Sequence, residues 1–168
     1  RMFGPECSPA TTDAAKLKKI PPGAMWVDLL NPTPEEEKLA ENELGQNIPT
    51  REEMLEIEPS SRLYEREGAL FMTAAVLFGF KHGKPDTDPV GFILTDKLLV
   101  TVRYIDPTPF VVFAEHLYAE PELATDAATI MVRLVDALVD RLADELEDVG
   151  KAVETVSGHI FQHRTGKA

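Results

Sequence analysis

At 168 residues, with 43% apolar and 27% charged side chains, the chain is sized for one globular domain with a sizeable core. Its formal charge of −12 repels phosphate backbones and anionic headgroups, which disfavours nucleic acid and lipid surfaces as partners and favours divalent cations. The single cysteine, Cys7, excludes a disulfide framework and a thiolate zinc site, and suits a reducing cytosol.

Residues 1–24 read as an irregular segment containing Pro5, Pro9, Pro21, Pro22 and Gly23, with at most a short edge strand near Met2–Phe3. Arg1 ahead of Met2 reads as a vector remnant, and Pro, Lys and Asp stand where a secretory signal would need an apolar core. Met25–Leu30 is a buried strand, apolar except for Asp28. A helix follows, with Thr33 as N-cap, Pro34 at the first position, Glu36 and Glu37 in the first turn, and Gly45 at its end. Leu39 and Leu44 supply its apolar stripe. Thr50 and Glu53 have capping-box spacing and start a second helix, in which Met54, Leu55 and Ile57 face inward and which Pro59 ends.

From Ser61 the pattern turns to strands. Arg62–Arg66 and Ala69–Phe80 flank a turn at Glu67-Gly68, and Val90–Thr95 and Leu98–Tyr104 flank another at Asp96-Lys97. His82–Asp86 reads as loop between the hairpins. The longest apolar run, Ala69–Phe80, is shorter than the ~20 residues a spanning helix needs, so no membrane crossing is expected within this chain. Two helices follow Asp106-Pro107, roughly Pro109–Ala119 and Glu122–Gln162. In the longer one, Met131, Val135, Leu138, Leu142, Val149, Val153, Val156 and Ile160 fall mainly at four-three spacing, and Ile130, Leu134 and Val139 widen that stripe. Its second half reads as a seam for another helix, of this chain or of another subunit.

The order of elements predicts an α/β fold: an α/β/α sandwich around a mixed β-sheet of about five to seven strands, leading into a long C-terminal stalk-like helix. The organisation is one domain, with the irregular segment 1–24, a sheet-and-helix region 25–121, and the long helix and tail 122–168.

Nine acidic residues lie between Glu35 and Glu58, against Lys38 and Arg51. On the long helix Asp136, Asp140, Asp144 and Asp148 repeat every fourth residue, a spacing at which like charges repel by a few tenths of a kcal/mol per pair. Such a ladder is either a solvated face, offset by Arg133, Arg141 and Lys151, or part of a site for a hard cation such as Mg²⁺. His159 and His163 have a spacing that suits Zn²⁺ or Co²⁺ but no third ligand in sequence reach, which reads as a bystander pair. Asp28 reads as a locally paired group. No phosphate loop, nucleophile elbow, zinc-protease or EF-hand motif is present, so no enzyme is expected.

The ordered set Trp26, Asp28, Leu29, then Glu43-Leu44-Gly45, then Glu56-Ile57-Glu58 and Ser60 resembles the start of the soluble domain of CorA-type magnesium transporters; Arg133–Asp140 (RLVDALVD) resembles the family again. That resemblance covers roughly residues 25–165. It implies the cytoplasmic regulatory domain of a Mg²⁺/Co²⁺ transport protein, on the cytoplasmic face of the inner membrane and joined to it only through segments C-terminal of this chain. It implies a homopentamer in the full-length protein, with the fragment alone a monomer or dimer. It also implies weak regulatory Mg²⁺ sites, with Co²⁺ as an alternative, whose ligands here are Glu56, Asp136 and Asp140. Many relatives carry Asp in place of Glu56 and an acid in place of Leu55, a departure that implies a weaker site or none. The zinc-transporting branch of the superfamily is a variant of this reading. The competing reading is a soluble acidic α/β interaction module that dimerises through its long helix without metal.

Overall fold

The structure is a computed structural model that describes residues 1–4, 19–56, 58, 61–80 and 83–165, with side chains of the final helix described to residue 157. Six strands form one mixed sheet: β1 (Met2–Phe3), β2 (Trp26–Leu30), β3 (Leu63–Arg66), β4 (Ala69–Phe78), β5 (Asp86–Leu94) and β6 (Leu99–Arg103), in the spatial order β1-β2-β6-β5-β4-β3. The run from β3 to β6 is an antiparallel meander, and it delivers β6 alongside β2 as the parallel pair of the sheet. Every residue of β6 is buried, as expected for a central strand covered on both faces, whereas all four residues of β3 are exposed at the edge.

Each face of the sheet carries its own core. Trp26, Val76, Val90, Phe92 and Leu99 point toward α3 (Thr108–Ala119) and α4 (Ala127–Thr165), where Phe110, Ile130 and Leu134 are fully buried. Val27, Phe71, Ile93, Val100 and Val102 point the other way, toward α1 (Pro34–Leu44) and α2 (Arg51–Glu56), which contribute Ala40 and Met54. The alternation along the strands therefore produces the expected α/β/α layering.

Local signals act where they were read. Thr33 caps α1 and exchanges bonds with Glu36 in a capping box; Gly45 closes the helix in the left-handed region, at φ 68°. The turn at Glu67-Gly68 has positive φ at both residues, the twist that a two-residue hairpin needs.

Four readings change. Leu55 is 58% exposed rather than inward-facing, because Met54 alone fills the contact that this short helix makes with the sheet. In α1 the buried residue is Ala40, with Leu39 and Leu44 only half-buried, because the helix lies close to β2. Strand β5 begins at Asp86, extended by pairing with the long β4; Pro89 lies where β5 has a neighbour on one side only, a place where a strand tolerates proline. Helix α4 begins at Ala127 rather than Glu122, because the Asp126 carboxylate accepts the Thr129 amide at 2.8 Å and caps it, after a short 3₁₀ turn at Pro121–Leu123. Ile57, Pro59, Ser60 and His82 lie outside the described residues, as do the side chains of His159, Ile160 and His163.

Candidate divalent-cation site

The three candidate ligands sit on elements that are locally well specified. Thr50 accepts the Glu53 amide at 3.2 Å while Glu53 accepts the Thr50 amide at 2.8 Å, so α2 starts at a fixed point and carries Glu56 on its last turn. Gly91 of β5 lets α2 approach: a Cβ there would lie 2.8 Å from the Met54 sulfur. The guanidinium of Arg51 ties the start of α2 to the sheet by donating to Asp88 at 2.9 Å; that hydrogen bond and charge raise the Arg51 pKa. Arg51 also lies over Tyr104, whose pKa is raised by burial and then by the carboxylates of Glu37 and Glu52, with Arg51 opposing.

Glu56 is exposed and lines a groove of about 450 Å³ with Glu53, Asn47, Tyr64, Arg66 and Phe71. Glu53 is committed to its capping box. Arg66 is held over the Phe71 ring, 4.5 Å from its centroid, and donates to Gln46 and the Asn47 carbonyl. A fixed guanidinium in the same groove makes this side of a single chain a poor place to assemble a cation site from Glu56 alone.

Asp136 and Asp140 are both exposed, one turn apart on α4. Further along, Arg141 pairs with Glu145, and Lys151 pairs with Glu147 at 2.7 Å and Asp148 at 3.7 Å, so the lower rungs of the ladder are partly neutralised. Helix α4 packs on the Trp26–Phe92 face and α2 on the Val27–Phe71 face. The sheet therefore stands between Glu56 and the two aspartates. Among the described residues no three His, Cys, Asp or Glu side chains come together as a metal-binding group. One chain brings Asp136 and Asp140 together and does not bring Glu56 to them.

The most developed charged network is one that sequence reading only half located. Arg103 forks onto Asp28, donating Nη2 to Oδ2 at 2.7 Å and Nε to Oδ1 at 2.9 Å, with both side chains fully buried. Its Nη1 reaches the Ile105 carbonyl and Asp106 Oδ1, both at 2.7 Å. Thr101 donates to Asp28 at 2.9 Å and accepts from the Trp26 indole at 3.0 Å. Burial alone would lower the Arg103 pKa, but the bonds and charges of Asp28 and then Asp106 outweigh it, and the net shift is upward. A buried, bidentate charged pair of this kind orders the β2–β6 junction, and its hydrogen bonds hold it in a structural role.

The sequence matches the family model described as CorA-like Mg²⁺ transporter protein over residues 22–167. It is 28% identical over 143 residues to the magnesium transport proteins CorA of Pectobacterium atrosepticum and Salmonella typhimurium, and 27% identical to that of Escherichia coli K12. Each match covers 85% of this chain and 45% of the relative, so the chain spans less than half the length of these proteins. In fold it resembles the complete CorA magnesium transporter of Methanocaldococcus jannaschii, with a TM-score of 0.65 at 14% identity, over 93% of this chain and 49% of that one. It likewise resembles the soluble domain of the same transporter, with a TM-score of 0.61 at 14% identity, over 81% of this chain and 55% of that one.

Proposed function

The chain belongs to the CorA-like Mg²⁺ transporter family, and from that membership we propose that it is the N-terminal, cytoplasmic, divalent-cation-sensing domain of a magnesium transporter whose pore lies C-terminal of residue 168. The observation that carries this reading is the family match across residues 22–167, supported by a likeness in fold to the soluble domain of such a transporter. No helix among the described residues is long and apolar enough to cross a membrane, so the pore is assigned to the remainder of the protein.

Charge and placement support the sensing role. Glu56 and the pair Asp136/Asp140 lie on opposite faces of the sheet, so an ion ligated by both sets must lie between two copies, α2 of one against α4 of the next. Head-to-tail contacts whose rotation closes form a ring, and the family reading makes that ring a homopentamer. Bound Mg²⁺, or Co²⁺ in its place, neutralises facing carboxylates and holds neighbours together. When the ion leaves, like charges about 5 Å apart repel by about 3 kcal/mol at an intermediate dielectric, and the ring loosens toward the open state.

Titration of the full-length protein with Mg²⁺, followed by thermal unfolding, tests this. At ten times its Kd a site adds about 1.4 kcal/mol, a shift of a few degrees. Glu56→Ala/Asp136→Ala is expected to lose most of that shift, and Asp140→Ala a smaller part. An unchanged response in the double variant removes both residues from the ligand set.

A further inference from the structure

Helix α2 is too short to hold its own direction. With six residues, most of its backbone groups lie in an end turn, so what anchors it decides where it points. It packs on β5, and its one buried residue is Met54, whose sulfur lies over Gly91. Leu55 and Glu56 beyond it are exposed. A single apolar contact fixes a point and leaves the helix free to swing about it.

Arg51 supplies the second point. It stands three residues before Met54, about 4.5 Å along the axis and on nearly the same side of the helix. It donates Nη2 to Asp88 Oδ1 at 2.9 Å, and its guanidinium lies 5.4 Å from the centre of the Tyr104 ring. Asp88 precedes the part of β5 that pairs with β6, and Tyr104 follows the last residue of β6. Arg51 therefore bridges two strands where their pairing stops, and two anchors define an axis.

Stability does not explain the pair. Asp88 is 6% exposed, and among the described residues its Oδ2 is buried without a hydrogen-bond partner. The carboxylate is desolvated for one bond to a guanidinium that is itself nearly half exposed. Half-satisfied buried pairs add little to folding free energy, and their best-attested use is to select one arrangement among several.

We propose that Arg51 is a positioning residue for the cation site: held between Asp88 and Tyr104, it sets the axis of α2 and with it the direction in which Glu56 faces a neighbouring copy. This rests on reading Glu56 as a ligand. Glu56 ends α2, roughly opposite Met54 around the axis at about 100° per residue, so a swing about Met54 displaces its carboxylate directly. Mg²⁺ demands near-octahedral ligands at about 2.0–2.1 Å, and a wandering carboxylate loses it. The charge of Arg51 acts in the opposite sense. By electrostatics alone, removing a nearby positive group would tighten the binding of a cation.

The test compares full-length wild-type protein with Arg51→Ala, Arg51→Ala/Asp88→Ala and Asp88→Asn. Two quantities are read: the apparent Kd for Mg²⁺, from the rise of unfolding temperature with Mg²⁺, and metal-free amide exchange of residues 54–56. Arg51→Ala is expected to weaken Mg²⁺ binding by about fivefold or more and to speed that exchange by a similar factor. The double variant strands no charge, so its metal-free stability should return toward wild type while both defects persist. Asp88→Asn keeps an oxygen for Arg51 and should hold both quantities within about twofold of wild type. Tighter or unchanged Mg²⁺ binding in Arg51→Ala overturns the proposal. So does recovery of Mg²⁺ affinity together with stability in the double variant, which would reduce the pair to a structural role. The double variant keeps the test open if Arg51→Ala misfolds. A wild-type protein that does not respond to Mg²⁺ counts against the sensing role of Glu56 alone. The exchange comparison then decides whether Arg51 positions α2, and unchanged exchange in the double variant overturns it.

Discussion

At the scale of single residues, the least replaceable group is the Asp28–Arg103 pair. Both side chains are fully buried, and all three nitrogens of the guanidinium donate hydrogen bonds. Removing one partner strands the other in a dry interior. Asp28→Ala is therefore expected to cost about 3–5 kcal/mol in urea unfolding, whereas removing both charges, as in Asp28→Leu/Arg103→Met, should cost clearly less than the two single changes summed. Strict additivity would mean that water or another group takes up the freed charge. The lone acid in an otherwise apolar strand is visible in the sequence, but Arg103 lies 75 residues away and meets it only because β2 and β6 pair in parallel, Asp28 opposite Thr101.

At the scale of elements, the hairpin between β3 and β4 carries a correctable strain. Glu67 holds φ at 50°, a conformation that costs an ordinary L-residue about 1–2 kcal/mol, while Gly68 beside it adopts φ 78° freely. Its side chain is exposed, and only its carbonyl is engaged, by the Gln46 amide at 3.3 Å. Glu67→Asn is accordingly expected to stabilise the protein by about 0.5–1 kcal/mol, read as a higher urea midpoint at unchanged slope. A loss of stability would show that the glutamate side chain makes a contact outweighing its backbone cost.

At the scale of the whole molecule, charge dominates. A net −12 on a chain of this size sets up self-repulsion that opposes compaction. Raising NaCl from about 0.02 to about 0.3 M shortens the Debye length from roughly 20 Å to roughly 6 Å, and thermal stability should rise with it. A fall in melting temperature over that range would mean that the ion pairs, such as Arg51–Asp88, outweigh the repulsion. The same surplus of carboxylates leaves α4 ill-suited to pairing with a second copy of itself.

Sequence alone determined the elements and the family. Capping at Thr33 and Thr50, the turn at Glu67-Gly68, strand alternation and the ordered motifs at Trp26–Leu29 and Arg133–Asp140 are interactions between near neighbours, and near neighbours are written in the chain. Only the tertiary structure decided that Leu55 faces solvent and that Asp28 is answered by Arg103. It also decided that Glu56 stands across the sheet from Asp136 and Asp140. Those outcomes depend on which strands pair and on which face each helix docks, quantities set by long-range contacts that no local spacing records.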